Sequence, residues 1–428
     1  MIKQRILFIV KILLYSTLGS LILPVSTFSQ TDPEQFVRSS AKQMQSIDPL
    51  SVDTMDMPLL AKAIGEARVV MLGEQDHGDA HTFKAKLRII KYLHEKMGFN
   101  VIAFESDFFG LNEGWDQLKK DSAAIALFLR RNIFPIWTYC EAAAPLFNTY
   151  IPGSFLTPNP LVVTGFDDQM VLNYSGNNLR RLLDSIFKSA TIPLCKEIYY
   201  DSYIAAIDSI RLSYGDPKIN AASYERWEAY FRLMRSEIGQ KFPETNFWVR
   251  VIDNLISETI SSQAIKREHQ EAKRNRDYQM AINLYWLAKE KFANEKIIVW
   301  AANYHIARYA DSLSEKKHLA TMGHYFSELP QAPKTYILGF NSYEGRAGRL
   351  GTKAYTITKP RKNSFENWIP ESWDYAFVDL SSWPNRHNSG QKKFFMKGLG
   401  HMSFETNWQH YYDGIFFIRE MIPCTAEK

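Results

Sequence analysis

RVVMLGEQDHGDAHTFKAKLRIIKYLHEKMGFNVIAFE, residues 68–105, decides the fold class. Arg68-Val-Val-Met-Leu-Gly73 is a short unbroken apolar run, and Asn100-Val-Ile-Ala-Phe-Glu105 is another. Runs of this kind, without alternation, suit strands covered on both faces in a parallel sheet. Thr82 to Met97 between them has helical spacing, so the stretch reads as one right-handed strand–helix–strand unit.

Similar strand signals recur at Leu161–Phe166, Lys296–Ala301, Thr335–Gly339, Tyr375–Asp379 and Gly414–Ile418. Residues 173–294 carry almost no strand signal; Leu, Ile, Arg, Glu and aromatics at helical spacing make this a helical insertion or subdomain. Thr31 to Pro58 is polar and reads as a helical lead-in. Neither half of the chain holds a complete set of strands. The expected architecture is therefore a three-layer α/β/α domain over residues 31–428, with a mainly parallel central sheet interrupted by the helical region.

Residues 1–30 read as a signal peptide. Lys3 and Arg5 precede a mostly apolar Ile6–Leu23, and Thr27-Phe28-Ser29 supplies small residues before a cut near Gln30. The competing reading is an uncleaved anchor, because the apolar stretch approaches the roughly 20 residues that span a bilayer. Lys11 in its middle favours export. The expected location is periplasmic or secreted, with no stable membrane span after signal removal. Losing Lys3, Arg5 and Lys11 with residues 1–30 takes the formal charge from +5 to +2, which supplies no electrostatic case for nucleic acid. At 46% hydrophobic and 23% charged residues, the chain is an ordinary globular one. The three cysteines, Cys140, Cys195 and Cys424, form no metal-binding cluster, and a Cys195–Cys424 bridge is one pairing open to them.

The strand ends carry the chemistry. The first runs into Gly73-Glu74-Gln75-Asp76-His77-Gly78, the second into Glu105, the third into Asp167-Asp168 and the fourth into Asn303-Tyr304-His305. Carboxyl ends of parallel strands share one edge, where ligands bind. Four segments would thus deliver carboxylates and imidazoles to one place. Imidazole is the natural general base near neutral pH, and a nearby carboxylate orients it. Glu74 and His77, three residues apart, suit that pairing. Each residue also has a plain reading: Glu105 as a helix cap, His305 as a core histidine, His94 as a structural residue on a helix. Trp115, Trp137 and Tyr139 are candidates to line a cleft.

Leu72-Gly-Glu-Gln-Asp-His-Gly78, Glu95-Lys-Met-Gly-Phe99 and Ala103-Phe-Glu105 resemble the opening of erythromycin-esterase-like proteins. Arg276-Asp-Tyr-Gln-Met-Ala281, Val299-Trp-Ala-Ala-Asn-Tyr-His305, Thr321-Met-Gly323 and Ile337-Leu-Gly-Phe340 continue the resemblance, which runs from about Leu60 to the C-terminus. It implies a hydrolase that opens an ester or lactone without a required metal or other cofactor. His77 would then activate water, Glu74 and Glu105 would position it, and His305 would join the same site. Lys86, Asp167, Asn303 and His324 are the substrate-binding candidates, with Arg276 and Asp277 in support.

Two positions depart from the macrolide-active pattern. Ala302 stands where that pattern has a second histidine, and Lys86 where arginine is frequent. The expected partner is therefore a small-molecule ester or lactone, macrolide-like ones included, with erythromycin itself not expected as the natural substrate. Two other readings use the same pocket: a metallohydrolase with Glu74, His77, Glu105 and His305 as ligands, and a periplasmic binding protein without turnover. The absence of a GxSxG elbow argues against an ordinary serine hydrolase of this fold class.

Overall fold

The computed structural model describes residues 30–427, except 52, 214–215, 217, 266–268, 312–317 and 389. The expected signal peptide lies outside the described residues, apart from Gln30. A nine-stranded sheet organises the chain. Its strands are β1 (Lys42–Met44), β2 (Val69–Leu72), β3 (Val101–Asp107), β4 (Val162–Asp167), β5 (Ile297–Trp300), β6 (Thr335–Ala347), β7 (Tyr355–Thr356), β8 (Tyr375–Asp379) and β9 (Gly414–Met421). Across the sheet the order is β1-β8-β9-β6-β2-β5-β3-β4, with β7 paired to the far end of β6. The six strands from β9 to β4 run parallel; β1, β7 and β8 pair antiparallel.

The central strands β2 and β5 are unbroken apolar runs, Val-Val-Met-Leu and Ile-Ile-Val-Trp, because both faces of the sheet are covered there. Val70 and Leu72 of β2 join one core with Phe83, Ile90, Ile102, Phe104 and Trp300. Val69 and Met71 join the other, with Met280, Leu284, Val299 and Ile337. The first core is closed by helix α1 (Ala80–Met97), which ends at Gly98 in the left-handed conformation. Five further helices follow β4: α2 (Asn173–Ser189), α3 (Tyr200–Arg211), α4 (Ala221–Gly239), α5 (Phe247–Ile265) and α6 (His269–Trp286). They bury their own cluster, including Leu183, Ile207, Phe231 and Leu255. The last of them, α6, returns to the sheet and packs beside β4.

Two expectations need correction. The lead-in is not wholly helical: Lys42–Met44 pairs with β8 as an edge strand, a contact its polar sequence does not advertise. The disulfide joins Cys140 to Cys424, and Cys195 is free. Cys195 sits in a short 3-10 turn, Pro193–Lys196, against the helical cluster. The C-terminal tail instead doubles back beside residues 139–141, where Glu141 N–H donates to Thr425 O and Glu427 N–H to Tyr139 O, both at 2.9 Å. That backbone pairing puts Cys424 opposite Cys140.

Candidate active site

Strand order does the first part of the assembly. The adjacent strands β2, β5, β3 and β4 end in Glu74, His305, Glu105 and Asp167 respectively, so four segments distant in sequence meet at one edge. After β5 the chain turns into a short helix, α7 (Asn303–Ile306), which carries His305. Helix α8 (Met322–Glu328) packs behind it.

Glu74 is fully buried, and all of its charge is spoken for. His77 Nδ1 lies 2.7 Å from Oε1, Trp137 Nε1 donates to the same oxygen at 2.8 Å, and Lys86 Nζ donates to Oε2 at 2.6 Å. A carboxylate held by an ammonium accepts, so His77 Nδ1 is the donor of this pair and Nε2 is turned away from Glu74. The His77 side chain keeps 17% of its surface exposed, into a cavity of about 300 Å³. Lys86 is fully buried, its ammonium 4.0 Å above the Trp300 ring. Burial pulls its pKa down to about 8, against the attraction of Glu74.

The loop between β2 and α1 is fastened at several points. Asn303 N–H donates to Glu74 O, and the Gln75 side chain donates to Lys397 O and Gly400 O. Asp79 accepts from Asp76 N–H and meets His401 Nε2 at 3.0 Å, with Ser342 on the other ring nitrogen. Gly73 and Gly78 allow close approach: a Cβ on the first would strike the Asn303 side chain, and on the second the Gly348 backbone.

On the opposite wall, Arg276 is the hub. Its guanidinium grips Asp167 through two bonds, 3.0 and 2.7 Å, and donates to Glu105 Oε1 at 3.0 Å. Ala302 N–H donates to Glu105 Oε2 at 3.0 Å. His305 Nδ1 meets Asp277 Oδ1 at 2.8 Å, while Nε2 stands 3.3 Å from both Glu105 Oε1 and Arg276 Nη1. Burial disfavours the charged ring of His305, but Asp277 and Glu105 outweigh it and raise its pKa. Burial likewise opposes the Glu105 charge, yet His305, Arg276 and His77 bring its pKa down to about 2. The wall therefore presents an ionised carboxylate beside an imidazole that favours its protonated form.

The structure thus brings Glu74, His77, Glu105 and His305 around one cavity, with Lys86, Asp167, Arg276 and Asp277 holding them. Lys86, Asp167 and Asn303 do not face a ligand as expected. The first two are buried behind Glu74 and Arg276, and the Asn303 amide is spent on Phe340 O, Gly398 O and Phe340 N–H. His324 lies away from the cavity, its ring against Tyr309 and Tyr325. His94 is structural, bonded to Tyr150 and Asn159. Of the three aromatics, only Trp137 reaches the site, from beneath. Trp115 packs with Phe128 and Phe155, and Tyr139 lies under Arg130. The cavity residues Lys273 and Arg349 and the bracing pair Asp79–His401 carry no signal in the sequence, while Tyr304 lies within the His305 motif without being marked as a cavity residue.

The family model described as erythromycin esterase matches residues 94–421. The chain belongs to the erythromycin esterase family. Glu74, His77 and Lys86 precede the matched span, and their place beside His305 comes from the geometry above. The chain is 24% identical to "Putative hydrolase YbfO" of Bacillus subtilis over 412 residues, 90% of this chain and 91% of that one. Its fold is shared with a mutant of the erythromycin esterase EreC in its open conformation: TM-score 0.66, 17% identity, 89% of this chain and 98% of that one. A structure described as a succinoglycan biosynthesis protein superposes at TM-score 0.70, with 20% identity over 92% of this chain and 98% of that one. Membership of the erythromycin esterase family supports a hydrolase with a small-molecule substrate. No helix among the described residues is long and apolar enough to cross a membrane.

Proposed function

We propose that this protein hydrolyses a carboxylic ester or lactone, with water activated by His77. The observation that carries the reading is the Glu74–His77 bond at 2.7 Å, which leaves Nε2 as the free, basic nitrogen inside the cavity. Nε2 takes a proton from water as the oxygen attacks the acyl carbon. The ring becomes imidazolium, steadied by Glu74, and returns the proton to the leaving alcohol. Glu74 is prepared for this by Lys86 and Trp137, which fix both of its oxygens.

The tetrahedral intermediate needs donors for its oxyanion. Protonated His305 and the Arg276 guanidinium supply them from the far wall. Glu105 keeps His305 charged and helps to place the water. No serine nucleophile is required.

The donor set favours this reading over a metal-held one. Among the described residues no three carboxylate, imidazole or thiolate groups converge as metal ligands. Glu105 and Asp167 are instead bridged by a guanidinium, a partner that competes with a cation. The Cys140–Cys424 disulfide suits an oxidising compartment and supports a periplasmic or secreted location.

The test is multiple turnover of a panel of esters and lactones by the purified protein, with and without a chelator. Chelator-resistant turnover of at least one ester is expected. Folded protein that cleaves none of them would overturn the proposal.

A further inference from the structure

One cation on the cavity wall has no charged partner among the described residues. Among the described residues, the acidic and basic side chains that line the cavity are Asp76, His77, Lys273, Arg276, His305 and Arg349. Asp76 is the sole carboxylate among them, and it is matched by Arg349 at 3.0 Å and by the Tyr355 hydroxyl at 3.1 Å. Arg276 is committed to Asp167 and Glu105. The carboxylates behind the wall, Glu74, Glu105, Asp167 and Asp277, are buried and already bonded. Lys273 is different. Among the described residues it has no carboxylate and no hydrogen-bond acceptor, only the Tyr304 ring 5.4 Å from its ammonium.

A lysine on a helix surface ordinarily extends into water, and its charge needs no partner there. Lys273 is half-buried and lines the cavity, with Ser261, Ile265 and buried Ala272 beside it and the Tyr304 ring of α7 near its ammonium. In a cavity walled by protein, an unmatched ammonium attracts an anion more strongly than it would at an open surface.

Resting on the hydrolase reading above, we infer that the ester bound here carries an acid group, a carboxylate or a similar oxyanion, and that Lys273 receives it. The cation then does two things. It selects half-esters and acid-bearing lactones over neutral ones, and it orients the acyl carbon toward His77 by holding the far end of the molecule.

The experiment separates binding from cleavage. Binding is measured by titration calorimetry with glutaramate, an anion, and glutaramide, its neutral counterpart. Cleavage is measured with monomethyl and dimethyl glutarate. Wild type should bind glutaramate about tenfold more tightly than glutaramide, about 1.4 kcal/mol. That ratio should fall to near one in Lys273→Gln, invert in Lys273→Glu, and shrink in 0.5 M salt, roughly as screening of a partly exposed pair requires.

Undetectable binding of glutaramate, equal binding of the two probes, or a ratio unmoved in Lys273→Gln overturns the inference. If dimethyl glutarate is then still cleaved, the hydrolase reading survives without it. Selective binding of glutaramate with neither ester cleaved keeps the acid-binding site and removes the hydrolase reading.

Discussion

His77 Nδ1 lies 2.7 Å from Glu74 Oε1, and the other oxygen of that carboxylate lies 2.6 Å from the Lys86 ammonium. The relay runs from a buried cation through a buried anion to a base that reaches the cavity. Each member positions the next: Lys86 and Trp137 hold the two oxygens of Glu74, and Glu74 fixes the His77 ring through Nδ1.

Replacing Glu74 with Gln preserves shape but removes the charge and allows the wrong ring tautomer. By analogy with losing the orienting carboxylate of a catalytic histidine, kcat should fall by about 10²–10⁴. Steady-state kinetics on any cleaved ester reads this. A loss smaller than threefold contradicts the relay.

Lys86 sets an alkaline limit. Its proton leaves near pH 8 in the folded protein and near the ordinary 10.5 in the unfolded chain. Between those values the unfolded state binds more protons, so this group's contribution to stability rises with pH. Activity should move the other way, because Glu74 loses its counter-ion. The predicted signature is a fall in kcat/KM above about pH 8 without a matching fall in Tm from this group. Lys86→Arg, which stays charged, should carry the limb to higher pH.

Asp277 is the support of His305. With the pKa of His305 raised, its contribution to stability is complete below the ordinary value of 6.5 and is lost as pH climbs through the folded value. Asp277→Asn removes the main attraction and lets burial pull the pKa down. We expect about a 10²-fold loss of kcat at neutral pH, the scale of one lost oxyanion donor. Thermal melts should also lose the acid-side advantage of wild type. An unchanged His305 titration by NMR would count against this account.

The disulfide works on the site through the tail. Cys424 N–H donates to Gly78 O, Ala80 N–H to Ile422 O, and Cys140 N–H to Trp137 O. One covalent link thus secures both the His77 loop and the tryptophan that holds Glu74. Converting Cys140 and Cys424 to Ala should cost about 2–4 kcal/mol of stability. At temperatures where the variant stays folded, it should also lower kcat. Chemical denaturation and kinetics measure the two effects separately. Full activity in the stable variant would confine the disulfide to a structural role.

The central strands β2 and β5 were legible because each is an unbroken apolar run that has to be covered on both sides. Glu74 and His77 were legible as a pair because they stand three positions apart. The opposite wall is a different matter. Arg276 reaches Glu105 across 171 residues, Trp137 reaches Glu74 across 63, and His401 reaches Asp79 across 322. Such pairs are set by strand order, which local pattern does not encode. Lys86 illustrates the intermediate case. Resemblance marked its position, but only packing turns a basic residue of the first helix into the buried counter-ion of Glu74. The Cys140–Cys424 pairing is not legible, because the return of the C-terminal tail along residues 139–141 leaves no trace in composition or spacing.

The most direct test of the central claim is kcat/KM for a cleaved ester, wild type against His77→Ala, in chelator-treated buffer at neutral pH. The account predicts undiminished wild-type turnover and a loss of about 10²–10⁴ in the variant, the contribution of a general base. A folded His77→Ala variant that keeps wild-type turnover, or wild-type turnover that the chelator abolishes, would contradict it.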